Sequence, residues 1–132
     1  MKIFYEDILS TYNKIKPFLK VTETSYSEQI SKKLNCNLFI KFENRQNTGS
    51  FKIRGALSKL LSLSSKEKSK GVIGMSAGNH AQGLAYSGNK LNVNTNIVMP
   101  LGTPFTKIRR TKAFGGNVFL EGKDLIESKK YV

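Results

Sequence analysis

The sequence has 132 residues, 39% of them hydrophobic, and a formal net charge of +13. This length allows at most one domain with its own core, and no apolar run of about 18 residues is present that would cross a membrane. Acidic residues near the N-terminus are not typical of a secretory signal, and the single cysteine, Cys36, cannot form an internal disulfide. We therefore expect a cytoplasmic protein without a membrane partner, and His/Cys spacing gives no indication of a metal site.

The positive charge comes mostly from lysines that are scattered along the chain. Such a charge can indicate a nucleic-acid partner. However, the sequence contains no RNA-binding signature and no stripe of interleaved aromatic and basic residues. We interpret the charge mainly as a solvated, lysine-rich surface, and a basic nucleic-acid-binding module stays the less favoured alternative.

The first third of the chain is predicted to be helical. Apolar side chains recur at helical spacing over residues 4–20, and Pro17 lies at or just past the end of that pattern. A second helix is predicted over residues 25–34. We interpret residues 1–36 as an N-terminal helical segment and residues 37–132 as an α/β lobe.

The rest of the chain alternates strands with helices. The apolar pattern predicts strands, the first of them buried, over residues 37–43, 72–75, 96–99 and 117–120, and helices that begin near residues 50, 78, 104 and 123, with a polar connection over residues 61–70. This order indicates right-handed β-α-β crossovers and a mostly parallel sheet, hence a three-layer α/β fold. The last helical pattern has no terminating signal, which is typical of a truncated chain.

Lys52 lies in the first turn of the helix that follows strand 37–43 and the turn at Gly49. Thr48 or Ser50 can cap that helix with a hydroxyl. The partial positive charge of a helix N-terminus disfavours an ammonium and favours a neutral amine by comparison. The neutral amine attacks an aldehyde to form a Schiff base. From spacing alone, however, one more solvated lysine is the simpler interpretation.

A second polar group, residues 76–80, lies where strand 72–75 ends and a helix begins. Small residues allow backbone N–H groups to approach a ligand, and a helix N-terminus favours an anion. In open parallel sheets this carboxyl edge is the usual ligand position. The alternative is a simple tight turn, and His80 alone is more typical of a hydrogen-bonded structural histidine than of a base.

Both segments resemble a known family. Residues 41–56, Lys-Phe-Glu-Asn-Arg-Gln-Asn-Thr-Gly-Ser-Phe-Lys-Ile-Arg-Gly-Ala, resemble the cofactor-lysine segment of the pyridoxal-phosphate-dependent threonine/serine dehydratases, in the tryptophan-synthase-β-like group. Residues 76–83, Ser-Ala-Gly-Asn-His-Ala-Gln-Gly, are similar to the loop that holds the amino-acid carboxylate in that family. The resemblance covers nearly the whole chain but only the front part of a family member, and it implies the N-terminal portion of a fold-type-II enzyme.

The resemblance also implies residue roles. Lys52 would carry pyridoxal phosphate covalently and act as the catalytic residue, Phe51 would pack against the pyridine ring, and Asn79 would hydrogen-bond the ring hydroxyl. The carboxylate of a small amino-acid substrate would be held by Ser76, Ala77, Gly78, Asn79 and His80. The implied reaction is dehydration and deamination of L-threonine or L-serine to a 2-oxo acid and ammonia, within amino-acid metabolism such as isoleucine biosynthesis.

Two further features of the sequence affect these expectations. Related serine racemases carry a serine at the position of Ala77, so the absence of a titratable group there favours elimination over racemisation. These 132 residues also contain no glycine-rich run for the cofactor phosphate. We therefore expect little dehydratase activity from this chain alone, and either a C-terminal fragment or a full-length homologue as its partner.

Overall fold

The computed structural model describes residues 2–132, which form two separate sheets and seven α-helices. The strands are β1 (Thr24–Tyr26), β2 (Phe39–Lys41), β3 (Val72–Met75), β4 (Thr95–Met99) and β5 (Asn117–Leu120). The helices are α1 (Tyr5–Ile15), α2 (Glu28–Leu34), α3 (Lys52–Ser62), α4 (Ser65–Lys70), α5 (Asn79–Leu91), α6 (Phe105–Ala113) and α7 (Leu125–Ser128), with 3₁₀ turns at Lys16–Phe18, Glu43–Arg45 and Lys129–Tyr131. None of the helices in this part of the chain has the length and apolar character to cross a bilayer.

The larger sheet is parallel, with strand order β3-β4-β5. Ile97 in the central strand lies opposite Gly74 on one side and Val118 on the other. Helices α5 and α6 make the two crossovers, as the alternating pattern predicted. The α/β fold with a mostly parallel sheet is therefore confirmed.

The core lies between α3, α5 and the face of the parallel sheet that α5 covers. Its most deeply buried apolar side chains are Ile53, Leu57, Leu60, Ala85, Ile97 and Met99. Helix α5 approaches the sheet closely because it carries Gly88, where a Cβ would lie 2.2 Å from Thr95 Cγ2. A side chain at that position has no room, so the glycine fixes the distance between helix and sheet.

The opposite face of the parallel sheet is only partly covered. Ile73 and Phe119 are each about half exposed there, and they line a cavity of about 260 Å³ together with Tyr131. Tyr131 belongs to the 3₁₀ turn after α7, so this turn lies beside the partly covered face.

The N-terminal region corrects one prediction. Residues 25–34 are not one helix, because Thr24–Tyr26 forms β1 and only Glu28–Leu34 is helical. β1 pairs antiparallel with β2, with Thr24 opposite Lys41, and Ser27 N–H donates to the Leu38 carbonyl at 2.9 Å. Cross-strand hydrogen bonds that local spacing does not reveal therefore override the helical pattern.

The predicted strand over residues 37–43 is also shorter and more exposed than expected. Only Phe39–Lys41 is a strand, Phe39 is 63% exposed, and the strand pairs with β1 rather than with the parallel sheet. An apolar run alone does not specify which partner a strand takes. The division of the chain at residue 36 stays a prediction, although Ile15 of α1 packs against Ile53 and Leu57 of α3.

The polar connection predicted over residues 61–70 is largely helical. Helix α3 continues to Ser62, and α4 follows after two residues. Ser64 caps α4: its Oγ accepts from the Glu67 N–H at 3.3 Å, and the Glu67 carboxylate accepts from the Ser64 N–H at 2.8 Å. This reciprocal pair is a capping box, which satisfies free backbone donors at a helix start.

Candidate active site

The turn before α3 has the conformation that its glycine allows. Gly49 has φ of +74°, a left-handed value that residues with a Cβ rarely adopt, and its N–H donates to the Gln46 carbonyl at 2.8 Å. Buried Ser50 then accepts a long, 3.4 Å hydrogen bond from the Lys52 N–H. Of the two predicted caps, Ser50 is the one that contacts the first turn, whereas the buried Thr48 hydroxyl has no partner among residues 2–132.

Lys52 is the first residue of α3, where the sequence predicted it. Its side chain is exposed, and its Nζ lies 4.9 Å from the centre of the Phe51 ring. Phe51 is itself 58% exposed. A primary amine therefore lies beside an aromatic face that a planar ligand can reach.

A partly buried ion pair holds the backbone on both sides of Lys52. Arg54 donates from Nε and Nη2 to the two carboxylate oxygens of Glu43, each at 2.8 Å, and the Thr22 hydroxyl donates to the same carboxylate at 2.6 Å. The Arg54 hydrogen bonds are the main reason that the pKa of Glu43 falls to about 2. The same bonds raise the pKa of Arg54, so the pair stays ionised and ties the 3₁₀ turn at Glu43–Arg45 to the start of α3.

Residues 76–80 connect β3 to α5 at the carboxyl edge of the parallel sheet. Ser76 N–H donates to the Val98 carbonyl of β4 at 3.1 Å, and Gly78 N–H donates to Ser76 Oγ at 3.2 Å. Asn79 and His80 open α5, and both are exposed. First-turn N–H groups have no acceptor within their own helix, so this edge is suited to an anionic ligand.

Gly83 brings these two segments together. A Cβ on Gly83 would lie 3.1 Å from both the Lys52 carbonyl carbon and the Ile53 nitrogen, and 3.3 Å from Lys52 Cβ. Helix α5 therefore packs directly on the first turn of α3. Asn79 lies about one helical turn, or roughly 6 Å along the axis, before Gly83, so the end of the polar loop is close to the backbone of Lys52.

The donor set fits part of a pyridoxal phosphate site. An exposed amine and aromatic ring at residues 51–52 suit the aldehyde and the pyridine ring, and the α5 N-terminus suits a substrate carboxylate. Apart from Gly78 and its two chain neighbours, no described residue has a heavy atom within 4 Å of the position of a Cβ on Gly78, so there is space beside this loop. The roles that the resemblance assigned to Phe51, Lys52, Asn79 and the rest of residues 76–80 stay predictions.

Sequence reasoning missed two features near this site. Gly83 lies inside a helical pattern, and a glycine at such a position is itself a signal of close packing. A cleft of about 520 Å³ also adjoins Ala77, with Thr103 and Leu125 in its walls. This cleft depends on how three loops meet, which no local pattern in the sequence specifies.

Comparison with known proteins identifies related sequences. The family model described as pyridoxal-phosphate dependent enzyme matches residues 15–132. A curated relative, L-threonine dehydratase catabolic TdcB of Staphylococcus aureus (strain N315), is 43% identical over 127 residues, which is 96% of this chain but 37% of the relative. The chain therefore spans less than two fifths of the curated relatives that it matches.

Solved structures show the same relationship. Maize serine racemase has a TM-score of 0.88 with 29% identity and covers 96% of this chain and 38% of its own. The processed form of threonine deaminase isoform 2 from Solanum lycopersicum has a TM-score of 0.83 with 37% identity, over 98% of this chain and 39% of its own. The fold of the described residues is thus that of the corresponding part of fold-type-II pyridoxal-phosphate enzymes.

Proposed function

From the premise that this chain belongs to the family of pyridoxal-phosphate-dependent enzymes, we propose that it forms the cofactor-lysine part of a threonine/serine ammonia-lyase. The reaction is the dehydration and deamination of L-threonine or L-serine to a 2-oxo acid and ammonia. Identity of 43% to a catabolic threonine dehydratase supports this assignment. Isoleucine biosynthesis stays a prediction, since that relative is named as catabolic. A cytoplasmic location stays a prediction as well.

The observation that carries the proposal is the packing of α5 on Lys52. Because Gly83 lets the two helices touch, the backbone of the lysine lies against α5 about one helical turn from the N–H-rich loop that opens this helix. A dehydratase needs this proximity, since the group that removes the α-proton must lie beside the group that orients the substrate carboxylate.

Each part of the site then has a chemical task. Bound pyridoxal phosphate supplies the electron sink that stabilises a carbanion at the substrate α-carbon. Lys52 Nζ would hold the cofactor through its aldehyde, and the same amine is the group that would take the α-proton. Phe51 would present an aromatic face to the pyridine ring, Asn79 would donate to the ring hydroxyl, and the N–H groups of residues 76–80 would orient the carboxylate.

Ala77 favours elimination over racemisation. Racemisation requires a second acid/base group on the opposite face of the α-carbon, and a methyl side chain cannot supply a proton. Serine racemases are among the structural relatives, so this position supports the choice of ammonia-lyase over racemase within one fold.

Mapping the lysine that reacts with pyridoxal phosphate tests the proposal. The purified chain is mixed with cofactor, reduced with borohydride and digested, and the modified lysine is identified by mass spectrometry. We expect label on Lys52 at modest cofactor concentration, and its loss in Lys52→Arg but not in Lys59→Arg, a change on the same helix at another exposed lysine. Label spread over many lysines would contradict a preformed site.

Turnover by this chain alone is expected to be low. These residues contain no glycine-rich run to hold the cofactor phosphate, and contacts to the phosphate position the cofactor as well as bind it. Dehydratase assays on the purified chain, free of other proteins, measure this directly. Robust turnover would show that phosphate anchorage is not needed.

A non-catalytic role as partner of a full-length homologue is the second candidate. The half-exposed apolar side chains on one face of the parallel sheet, Ile73 and Phe119, favour it. Co-purification with the homologue, together with a change in its activity, would support this role. Nucleic-acid binding is less favoured. Only a substantial affinity for nucleic acid at physiological salt would support it.

A further inference from the structure

Another pocket is lined by residues of α1, the segment that follows it, strand β2 and the first turn of α3. Its volume is about 220 Å³, and four of the seven described residues that line it are cations: Lys16, Lys20, Lys41 and Arg54. None of the seven carries a carboxylate. Neither Lys52 nor residues 76–80 contribute to its walls, so it is separate from the candidate active site.

Two of these cations are already held in place by the protein. Arg54 is fixed by its two hydrogen bonds to Glu43, which leave other guanidinium N–H groups free to donate. Lys41 donates from Nζ to the Thr22 carbonyl at 3.0 Å, one of the three donations that an ammonium can make. The pocket therefore has two oriented cationic donors before any ligand arrives, which lowers the entropy cost of binding.

The remaining donors come from one segment. Tyr12, Lys16 and Lys20 follow one another at intervals of four residues, which places the first two on one face of α1 and its 3₁₀ continuation. The backbone of Lys20 is fixed on both sides by buried Gln46, which accepts from its N–H and donates to its carbonyl, each at 2.9 Å. The segment is therefore held against the pocket.

The charge of the pocket is strongly positive. Glu43 balances Arg54 and is also close enough to Lys41 for the two charges to interact, but no described acidic side chain forms an ion pair with the ammonium groups of Lys16, Lys20 or Lys41. Three such groups together with the Tyr12 hydroxyl match a compact, multiply charged oxyanion. A volume of about 220 Å³ is large enough for a phosphate and several further atoms.

We propose that this pocket binds a phosphate group, either inorganic phosphate or a phosphomonoester. The guanidinium of Arg54 and the Nζ of Lys41 form its fixed base, and Lys16, Lys20 and Tyr12 close over the ligand. The proposal does not depend on the reaction at Lys52, so each can fail without the other.

Titration with inorganic phosphate and with glycerol 3-phosphate tests this site. Ionic strength is held constant with sodium chloride, because a net charge of +13 attracts any anion. We expect saturable binding of one equivalent by calorimetry, with amide chemical-shift changes centred on residues 16–20 and Lys41. Tighter binding of the ester than of inorganic phosphate would identify a metabolite site, and equal binding would identify a phosphate site.

Matched variants separate a site from general attraction. The double variant Lys16→Gln/Lys20→Gln is expected to raise the Kd at least tenfold, whereas Lys66→Gln/Lys70→Gln, which removes the same charge at the same spacing from exposed α4, is expected to change it less than twofold. Equal weakening in both variants, or shifts centred on residues 76–80, would overturn the proposal. Tyr12→Phe keeps the fold and the charge, and a weaker Kd there is the second expected result.

Discussion

The parallel β/α unit and the N-terminal region of this chain differ in how deeply their apolar side chains are buried by other residues of the chain. In the unit from β3 to β5, the side chains that face α5, such as Ile97 and Met99, are completely buried. In α1 and α2, by contrast, apolar side chains such as Ile8 and Leu34 are about 60% exposed. The same kind of apolar spacing thus marks a filled interior in one region and a largely open surface in the other.

The difference shows where sequence patterns are reliable. An apolar pattern reports which face of an element is hydrophobic, but the layer that covers the face decides its burial. For β3 and β4 the helices that follow each strand directly, α5 and α6, pack against the sheet, so the pattern and the structure agree. For β2 the partner is β1, thirteen residues earlier at its nearest, and the pattern alone does not identify it.

The largest expected effect comes from truncating one leucine in each region. Leu57 in α3 has no exposed surface, and Leu34 in α2 is 59% exposed. Leu57→Ala removes buried contacts and leaves a cavity, so it is expected to lower the free energy of unfolding by about 2–5 kcal/mol. Leu34→Ala is expected to change it by no more than about 0.5 kcal/mol. Denaturant unfolding followed by circular dichroism measures both values.

Similar losses in the two variants would break this comparison. A large cost for Leu34→Ala would mean that α2 is covered in solution, as it would be in a self-associated state. Sedimentation of the two variants at the same concentrations separates that outcome from a change in folding alone.

The second prediction concerns two glycines on the helices that meet at Lys52. Gly83→Ala forces a methyl group within 3.1 Å of the α3 backbone, and such overpacking typically lowers the free energy of unfolding by about 1–3 kcal/mol. Gly55 in α3 has no atom within 4 Å of the same position. Gly55→Ala is therefore expected to increase stability by about 0.5–1 kcal/mol through helix propensity.

The same pair also tests whether α5 positions Lys52. Pyridoxal phosphate labelling of Lys52 is expected to weaken in Gly83→Ala and to stay unchanged in Gly55→Ala. Gly88→Ala supplies a destabilised control, because its clash is with Thr95 in the sheet rather than with Lys52. If Gly88→Ala weakened labelling as much as Gly83→Ala did, a general loss of stability would explain the result.

Much of the parallel unit was predictable from the sequence. The strands at residues 72–75 and 117–120 have the predicted bounds, and Lys52 lies in the first turn of its helix as expected, although that helix begins about two residues later than predicted. Each of these elements is specified by a local signal: an apolar run of strand length, or a glycine turn before a helical pattern. The capping box at Ser64 and Glu67 is such a signal too, and reading it would have predicted α4.

The features that were not predictable depend on contacts between distant segments. The contact between Gly83 and Lys52 joins residues 31 apart. The Glu43 carboxylate that pairs with Arg54 also accepts a hydrogen bond from Thr22. Spacing indicates that Gly83 is unusual in a helix but not which residue it touches. Geometry of the candidate site therefore had to come from the structure, whereas the identity of its main residues came from sequence motifs.

The smallest expected effect is on the pH dependence of stability. It distinguishes the ion pairs of two arginines, of which one is partly buried and one is exposed. The folded pKa of Glu43 is about 2, below its ordinary value of 4.5, so its ionised form stabilises the protein fully above pH 4.5. That contribution is lost as pH falls from about 4.5 towards 2. Because side chains of the pair are still 15–28% exposed, solvent screening limits the loss to about 1–2 kcal/mol.

Unfolding of the wild type and of Glu43→Gln is measured between pH 2.5 and 6, a range chosen to span about two units around the transition. The wild type is expected to lose stability relative to Glu43→Gln as pH falls, because the glutamine cannot titrate. Glu23→Gln removes a carboxylate that pairs with Arg45 at 2.9 Å while both side chains are more than half exposed, and its profile is expected to follow the wild type. Parallel profiles for the wild type and Glu43→Gln would mean that burial of the Arg54 pair adds nothing to the stability. The two ion pairs would then not differ in their contribution.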